Sequence, residues 1–370
     1  MKRHYRIRFR WLMAACTLFV VAYALFAVSS TLSQEVALIG QSSAATDGAP
    51  TPAQEMSING PAGLAFDPRS EALFIVELFG GRLLRLDIKR KSITTIPIHN
   101  RAGEFPAQNV IEADALENLF IGNADGELDK LNISNGKTIV LQSSGNASDA
   151  GLLKGLTSMA IDGQGKVFVT IRHQLFSWGP GVGLQPVAGS GVAGFLGDSG
   201  LARNARLQWP NGITFDASGD IIVADYQNCR MRKIDAIKQI ITTIAGTGKC
   251  GSSGDGGAAA LAEVDYPSSP VIDREGNLFF IEGASSRVRR IDRNGSITTY
   301  VGTGHRGSTG DGGPAKDATL ENPSGLAVDD QGNLYVADFV ANRIRRVDAA
   351  TQQITTVAGN GLPARIDYTM

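Results

Sequence analysis

Pro323-Ser-Gly-Leu-Ala-Val-Asp329 has close copies upstream at Pro61-Ala-Gly-Leu-Ala-Phe-Asp67 and Pro210-Asn-Gly-Ile-Thr-Phe-Asp216. Degenerate copies end at Asp114, Asp162 and Asp273, so six marker aspartates follow one another at intervals of 47, 48, 54, 57 and 56 residues. A period of this size is the mark of a repeat architecture in which each unit buries its faces only against its neighbours. Within the last copy four short segments recur: Gly325-Leu-Ala-Val, Asn333-Leu-Tyr-Val-Ala, Arg343-Ile-Arg-Arg-Val and Ile354-Thr-Thr-Val-Ala. Each is rich in β-branched or aromatic residues and is separated from the next by Gly, Asp and Asn, the signature of hairpin-linked strands. Turns such as Asp329-Asp-Gln-Gly332 put a glycine where positive φ is needed.

Four antiparallel strands repeated six times predict an all-β fold, a six-bladed β-propeller of four-stranded blades. Seven segments read as outer strands for six blades, starting near Val36, Ile93, Thr138, Leu184, Ile240, Ile297 and Ile354. The ring therefore closes either through Val36 to Gly40 or through the C-terminal segment. The chain divides into residues 1–30, a signal peptide or membrane anchor helix, 31–60, an N-terminal segment that can supply the closing strand, and 61–370, the propeller.

The leader reading rests on Lys2, Arg3, Arg6, Arg8 and Arg10 ahead of an apolar run from Trp11 to Val28. A basic head before such a run is a targeting element, and about 18 apolar residues just suffice to span a bilayer if uncut. Ala22-Tyr23-Ala24 and Ala27-Val28-Ser29 are small-x-small sites for cleavage. With the positive head retained inside, both fates put the rest of the chain outside the cytoplasm, periplasmic, secreted or membrane-anchored. Removing the five leader cations takes the formal net charge from −1 to −6. A mildly acidic domain lacks the basic footprint of a phosphate-tracking protein, so nucleic acid is not an expected partner. In an oxidising compartment Cys229 and Cys250, which flank the outer strand of the fourth blade on one face, are expected to form a disulfide.

The sequences Leu334-Tyr-Val-Ala-Asp-Phe-Val-Ala-Asn-Arg-Ile-Arg-Arg-Val-Asp348 and Gly310-Asp-Gly-Gly-Pro-Ala315 resemble those of the NHL-repeat family. The second is similar to the linker of secreted bacterial NHL proteins and recurs at Gly254-Asp-Gly-Gly257, at Gly197-Asp-Ser-Gly200 and, worn, at Asp47-Gly-Ala-Pro50. These loops lack the following helix of a phosphate loop and the alternating oxygen ligands of a calcium loop. They read as connectors; no cofactor is expected, with calcium or another divalent ion as the lesser reading.

The acid closing the second strand and the arginine five residues on recur as Glu77/Arg82, Asp225/Arg230, Glu282/Arg287 and Asp338/Arg343. Opposed across a short hairpin they read as structural pairs, and arginine-rich third strands such as Arg287-Val-Arg-Arg290 read as solvated or stacked edges. In related propellers the residue before the marker glycine points at the central mouth. Here those residues are Ala62, Asn109, Thr157, Asn211, Ser268 and Ser324, with neither carboxylate nor histidine. Propeller lactonases resemble this fold but place acids where this chain has Ala62 and Ser324. His99, His173 and His305 fall at unrelated points of their repeats.

Trp209, Asn211, Tyr226, Tyr266 and Phe339 share a face. Aromatic surface with fixed polar groups suits a protein, peptide or carbohydrate ligand, while Trp209 also fits simple packing under its loop. The expected function is an extracytoplasmic binding scaffold, the alternative a lactonase-like hydrolase or lyase with a divalent metal at the tunnel mouth. The candidate ligand-binding residues are Asn109, Thr157, Trp209, Asn211, Tyr226, Tyr266, Ser268, Ser324 and Phe339, with no catalytic residue.

Overall fold

Every marker aspartate ends an innermost strand and turns the chain back. Asp329 Oδ1 accepts the N–H groups of Gln331 and Asn333 at 3.0 and 2.8 Å, and its other oxygen accepts the Asn333 side-chain amide at 2.8 Å. Asp114 and Asp273 hold Asn118 and Asn277 in the same way. An aspartate that satisfies the backbone of its own turn fixes a tight hairpin. This device sets the repeat.

The computed structural model describes residues 50–79, 81–96, 109–114, 116–123, 127–142, 155–179 and 182–362, all within one compact unit, Gly48–Ala364. The leader, Val36 to Gly40 and the loop Asp47 to Ala49 lie outside them. Among the described residues no helix is long and apolar enough to cross a membrane.

Six antiparallel sheets follow one another in chain order. Blade 1 comprises β1 (Thr51–Pro52), β2 (Pro61–Asp67), β3 (Ala72–Glu77), β4 (Leu83–Asp87) and β5 (Ser92–Ile96). Blade 2 comprises β6 (Asn109–Ala113), β7 (Asn118–Asn123), β8 (Leu128–Asn132) and β9 (Thr138–Gln142). Blade 3 is β10 (Leu156–Ile161) to β13 (Gly183–Ala188), and blade 4 is β14 (Ile213–Phe215) to β17 (Ile241–Ala245). Blades 5 and 6 run from β18 (Pro267–Ile272) to β21 (Ile297–Val301) and from β22 (Pro323–Val328) to β25 (Ile354–Ala358). The first strands touch one another around the ring, β2 meeting both β6 and β22, so they line the axis. Core side chains fill the spaces between blades: Ala160 of blade 3 packs with Ile213 and Val223 of blade 4, and Phe279 of blade 5 with Leu326 and Val336 of blade 6. The marker glycine is small because the neighbouring backbone arrives there. A Cβ on Gly325 would lie 2.8 Å from the Ala62 carbonyl, and one on Gly212 2.7 Å from the Ser269 nitrogen.

Among the described residues the ring is closed by backbone hydrogen bonds. Blade 6 takes all four strands from its own repeat, and the connector ahead of blade 1 joins the two ends. In the three connectors between blades 3 and 6 a short turn accepts hydrogen bonds from the exit of the preceding blade, as Gly246 and Thr247 donate to the carbonyls of Ala259 and Ala262. Gly359 and Asn360 make the same bonds to Ala53 and Met56, while Ala53 bonds Lys91 of blade 1. Thr51 and Pro52 thereby form the fifth strand of that blade, paired to Ile93 and Ser92.

Cys229 and Cys250 form a disulfide, Cα to Cα 5.2 Å, 21 residues apart. Closing a loop of this size contributes about 3 kcal/mol through the unfolded chain. The Cys229→Ala/Cys250→Ala variant is expected to lose that much in denaturant unfolding, and wild type in reducing agent to follow it. Identical midpoints for wild type with and without reductant would refute the contribution.

Candidate functional site at the loop-bearing mouth

Four second strands end in a buried acid, Glu77, Asp225, Glu282 or Asp338. Each carboxylate accepts the N–H of a residue on the approach to the innermost strand: Asn59 at 2.8 Å, Gln208 at 2.7 Å, Asp265 at 3.3 Å and Glu321 at 2.6 Å. Two residues further on stands a proline, Pro61, Pro210, Pro267 or Pro323. The residue between is forced into the left-handed region: Gly60 at φ 62°, Trp209 at 51°, Tyr266 at 47° and Asn322 at 62°. Gly and Asn adopt this conformation readily, whereas a bulky side chain there costs about 1–3 kcal/mol.

The arginine partners differ from expectation in three blades. Only Glu77 takes the arginine five residues on, Arg82, at 2.5 Å. Asp225, Glu282 and Asp338 instead face Arg232, Arg289 and Arg345, seven residues on, at 3.2, 2.9 and 3.5 Å. These three guanidinium groups are fully buried, so they are not solvated edges. Each also binds the aspartate of a Gly-Asp connector, Asp198 and Asp255 at 2.6 Å and Asp311 at 2.7 Å. The connector aspartates thus clamp a loop onto a buried cation. The nearer arginines reach outward, Arg230 to the Thr247 carbonyl and Arg287 to the Thr303 carbonyl, both at 2.7 Å. Blade 1 has Leu84 seven residues after Glu77, which leaves Arg82 as the partner. Burial pushes the Asp225 and Glu282 carboxyls up and Asp338 up to about 6, against the pull of their arginines.

Several residues expected to line the mouth tie blades together instead of standing free. The Thr157 hydroxyl donates to the Pro210 carbonyl of blade 4, and the Ser324 hydroxyl to the Pro61 carbonyl of blade 1, both at 2.8 Å. Both positions fall at register shifts, where the extra residue of a bulge re-aims its side chain. In blade 5 the tie comes from Ser269, which occupies the marker-glycine position at φ 49°, with its hydroxyl 2.9 Å from the Ser324 carbonyl. Ser268 is buried beside it. The Asn211 carbonyl accepts the Ser269 N–H at 3.1 Å. Asn109 opens β6 opposite Asn123, and its side chain lies outside the described residues.

The aromatic residues do come together. Trp209, 40% exposed, lies edge-on to His173 with ring centroids 5.2 Å apart, and its backbone N–H donates to His173 Nδ1 at 3.3 Å. Tyr226 and Tyr266 form a tilted pair at 5.2 Å across blades 4 and 5. The two pairs are joined: Gln227 N–H donates to the Gln208 carbonyl, and the Gln208 amide to the Gln227 side chain, both at 3.0 Å. A stripe of four rings with two amides at its middle therefore crosses blades 3 to 5. Phe339 stands apart, paired at 5.5 Å with the exposed Phe79 where blade 6 meets blade 1. Sequence reasoning missed His173 and Phe79, although both sit in second-to-third loops of this face. Burial and the neighbouring Arg172 hold the His173 imidazole below its usual range.

The donor set does not fit a lactonase-type metal. The acids near the mouth face arginines, Ala62 has no donor, and the Ser324 hydroxyl serves a neighbouring carbonyl. Among the described residues no three His, Cys, Asp or Glu side chains form a group able to hold a metal ion.

Blades, marker turns and clamped connectors define a six-bladed β-propeller. Two stretches of it are similar to the NHL family: the NHL-repeat profile matches residues 207–234, and that of the teneurin NHL domain residues 303–365. Teneurin-1 of Mus musculus is 31% identical over 156 residues, covering 36% of this chain but 6% of that protein. Among solved structures, an auxiliary nutrient binding protein from Bacteroides thetaiotaomicron VPI-5482 superposes with TM-score 0.57 at 16% identity, over 81% of this chain and 70% of that one. A streptogramin B lyase does so with 0.52 at 12%, over 85% and 87%. At such identities the likeness to these structures is one of fold.

Proposed function

We propose that this chain is an extracytoplasmic binding scaffold, exported or held outside the membrane by its basic and apolar leader, and that it takes a ligand on the mouth face of blades 3 to 5. The observation that carries the reading is the placement of Trp209 and Tyr266 on turns where blades 1 and 6 carry Gly60 and Asn322. The fold demands the left-handed turn at all four positions, and strain that persists at two exposed-face aromatics points to a use for those rings. The disulfide agrees with an oxidising compartment.

The test is retention of envelope material from the source on immobilised full-length protein, wild type against Trp209→Asn and Tyr266→Asn. Asparagine keeps the turn, as Asn322 does, and removes the ring. Wild type is expected to retain material that both variants lose; equal retention, or none, would overturn the reading. The rival enzyme reading meets its own check in elemental analysis of protein purified without chelator. About one tightly held divalent ion per chain would move metal-dependent hydrolysis or elimination ahead of binding.

A further inference from the structure

We infer that the stripe His173–Trp209–Tyr226–Tyr266 binds a neutral oligosaccharide; the inference rests on the binding reading above and names its ligand class. The buried acid beneath the stripe, Asp225, is matched by Arg232, and Arg230 lies over Phe195 at 3.6 Å with one donor on the Thr247 carbonyl. The imidazole of His173 is held toward its neutral form. Arg172, exposed beside His173, is the cation of that loop. The two ring pairs are joined by the paired amides of Gln208 and Gln227, which carry no charge. A phosphate or carboxylate ligand would gain no ion pair from these amides, and for a basic peptide Asp225 is already matched by Arg232 and Asp265 accepts the Ser285 hydroxyl.

What the stripe offers is aromatic faces and edges in series, with amide donors and acceptors set between them. A sugar ring has the complementary form: C–H groups on its faces for an aromatic plane, and hydroxyls at its rim for amides. The rings are also held still. Trp209 is fixed by its turn, its proline and His173, while Tyr226 sits on the 3-10 turn Tyr226–Asn228, which the disulfide at Cys229 anchors. Preorganised aromatics lose little entropy on binding, which suits a ligand that gives up many water contacts.

The experiment titrates the full chain with maltohexaose, cellohexaose and the hexamer of N-acetylglucosamine, read by calorimetry and by tryptophan fluorescence. Of the three tryptophans Trp11 belongs to the leader, Trp178 is buried and Trp209 is 40% exposed, so quenching or a shift that Trp209→Asn abolishes reports on the stripe. At least one sugar is expected to bind with a dissociation constant of about 1 mM or tighter, and Trp209→Asn and Tyr266→Asn each to weaken it about tenfold or more without lowering the melting temperature. The affinity should hold as salt is raised, because no ion is released. Absence of binding by all three sugars to about 20 mM, or binding that collapses with salt, overturns the inference. Should the envelope material lost by the two variants prove sensitive to proteinase, the ligand is a protein and the inference fails while the binding reading stands. Variants that change neither measurement sink both.

Discussion

Arg289→Met is expected to destabilise the propeller by about 3–5 kcal/mol at neutral pH, the cost of leaving a buried charge without its partner. Arg289 and Glu282 are both fully buried, and Arg289 faces the Glu282 carboxylate at 2.9 Å. Asp255, on the other side of the same guanidinium, is half exposed. Asp255→Asn should therefore cost no more than about 1 kcal/mol, the ordinary worth of a solvent-screened pair. The loss in Arg289→Met should shrink as pH falls. Burial already pushes the Glu282 carboxyl up while Arg289 holds it down, so without the arginine it protonates at higher pH and the unpaired charge disappears. Glu282→Gln in the Arg289→Met background is expected to recover most of the stability, read from denaturant unfolding at pH 7 and pH 5. A loss below about 1 kcal/mol, equal at both pH values, would show that the pair contributes nothing. Because Glu282 also holds the Asp265 N–H at 3.3 Å, one residue before Tyr266, the single variant should loosen that ring as well.

The fold was legible because its cause is local. A marker aspartate, a turn glycine and four β-rich segments are written within each period, and the structure answers them with a hairpin turn and four strands at nearly the expected positions. Outer strands begin at Ser92, Thr138, Gly183, Ile241, Ile297 and Ile354, within one residue of the sequence reading. The closing device was not legible, because Ala53 and Met56 are recognisable only by the carbonyls they present to Gly359 and Asn360, some 300 residues away along the chain. The ion pairs failed for a related reason. A hairpin puts Asp225 opposite Arg230 in register, yet the buried space beneath the strand is filled by Arg232, and only packing decides which arginine enters it. Trp209, Tyr226 and Tyr266 could be read as sharing a face from strand order alone. His173 could not be singled out, since nothing in its own repeat shows that blade 4 brings a tryptophan against it.

Glu112 provides the second large effect. It lies in β6, the innermost strand of blade 2, opposite Phe120. Two residues before the marker aspartate, its position is held elsewhere by Ala65, Ala160 and Ala327, each buried against a neighbouring blade. Burial pushes its carboxyl up to about 8 although the residue keeps partial exposure, and among the described residues no cation opposes the shift. Between the ordinary value of 4.5 and about 8 the folded state therefore keeps a proton that the unfolded chain releases. Stability must fall as pH rises through that window, by about 1.4 kcal/mol per unit at most, and level off above it. Glu112→Gln removes this slope while keeping the shape. Its advantage over wild type is expected to grow by about 3 kcal/mol between pH 5 and pH 8, measured by denaturant unfolding at both. An advantage that stays constant across that range would mean the carboxyl reaches solvent or a cation. A widening gap would show that the Glu112 carboxyl stays protonated in the folded ring at neutral pH and that its ionisation costs blade 2 stability in alkali.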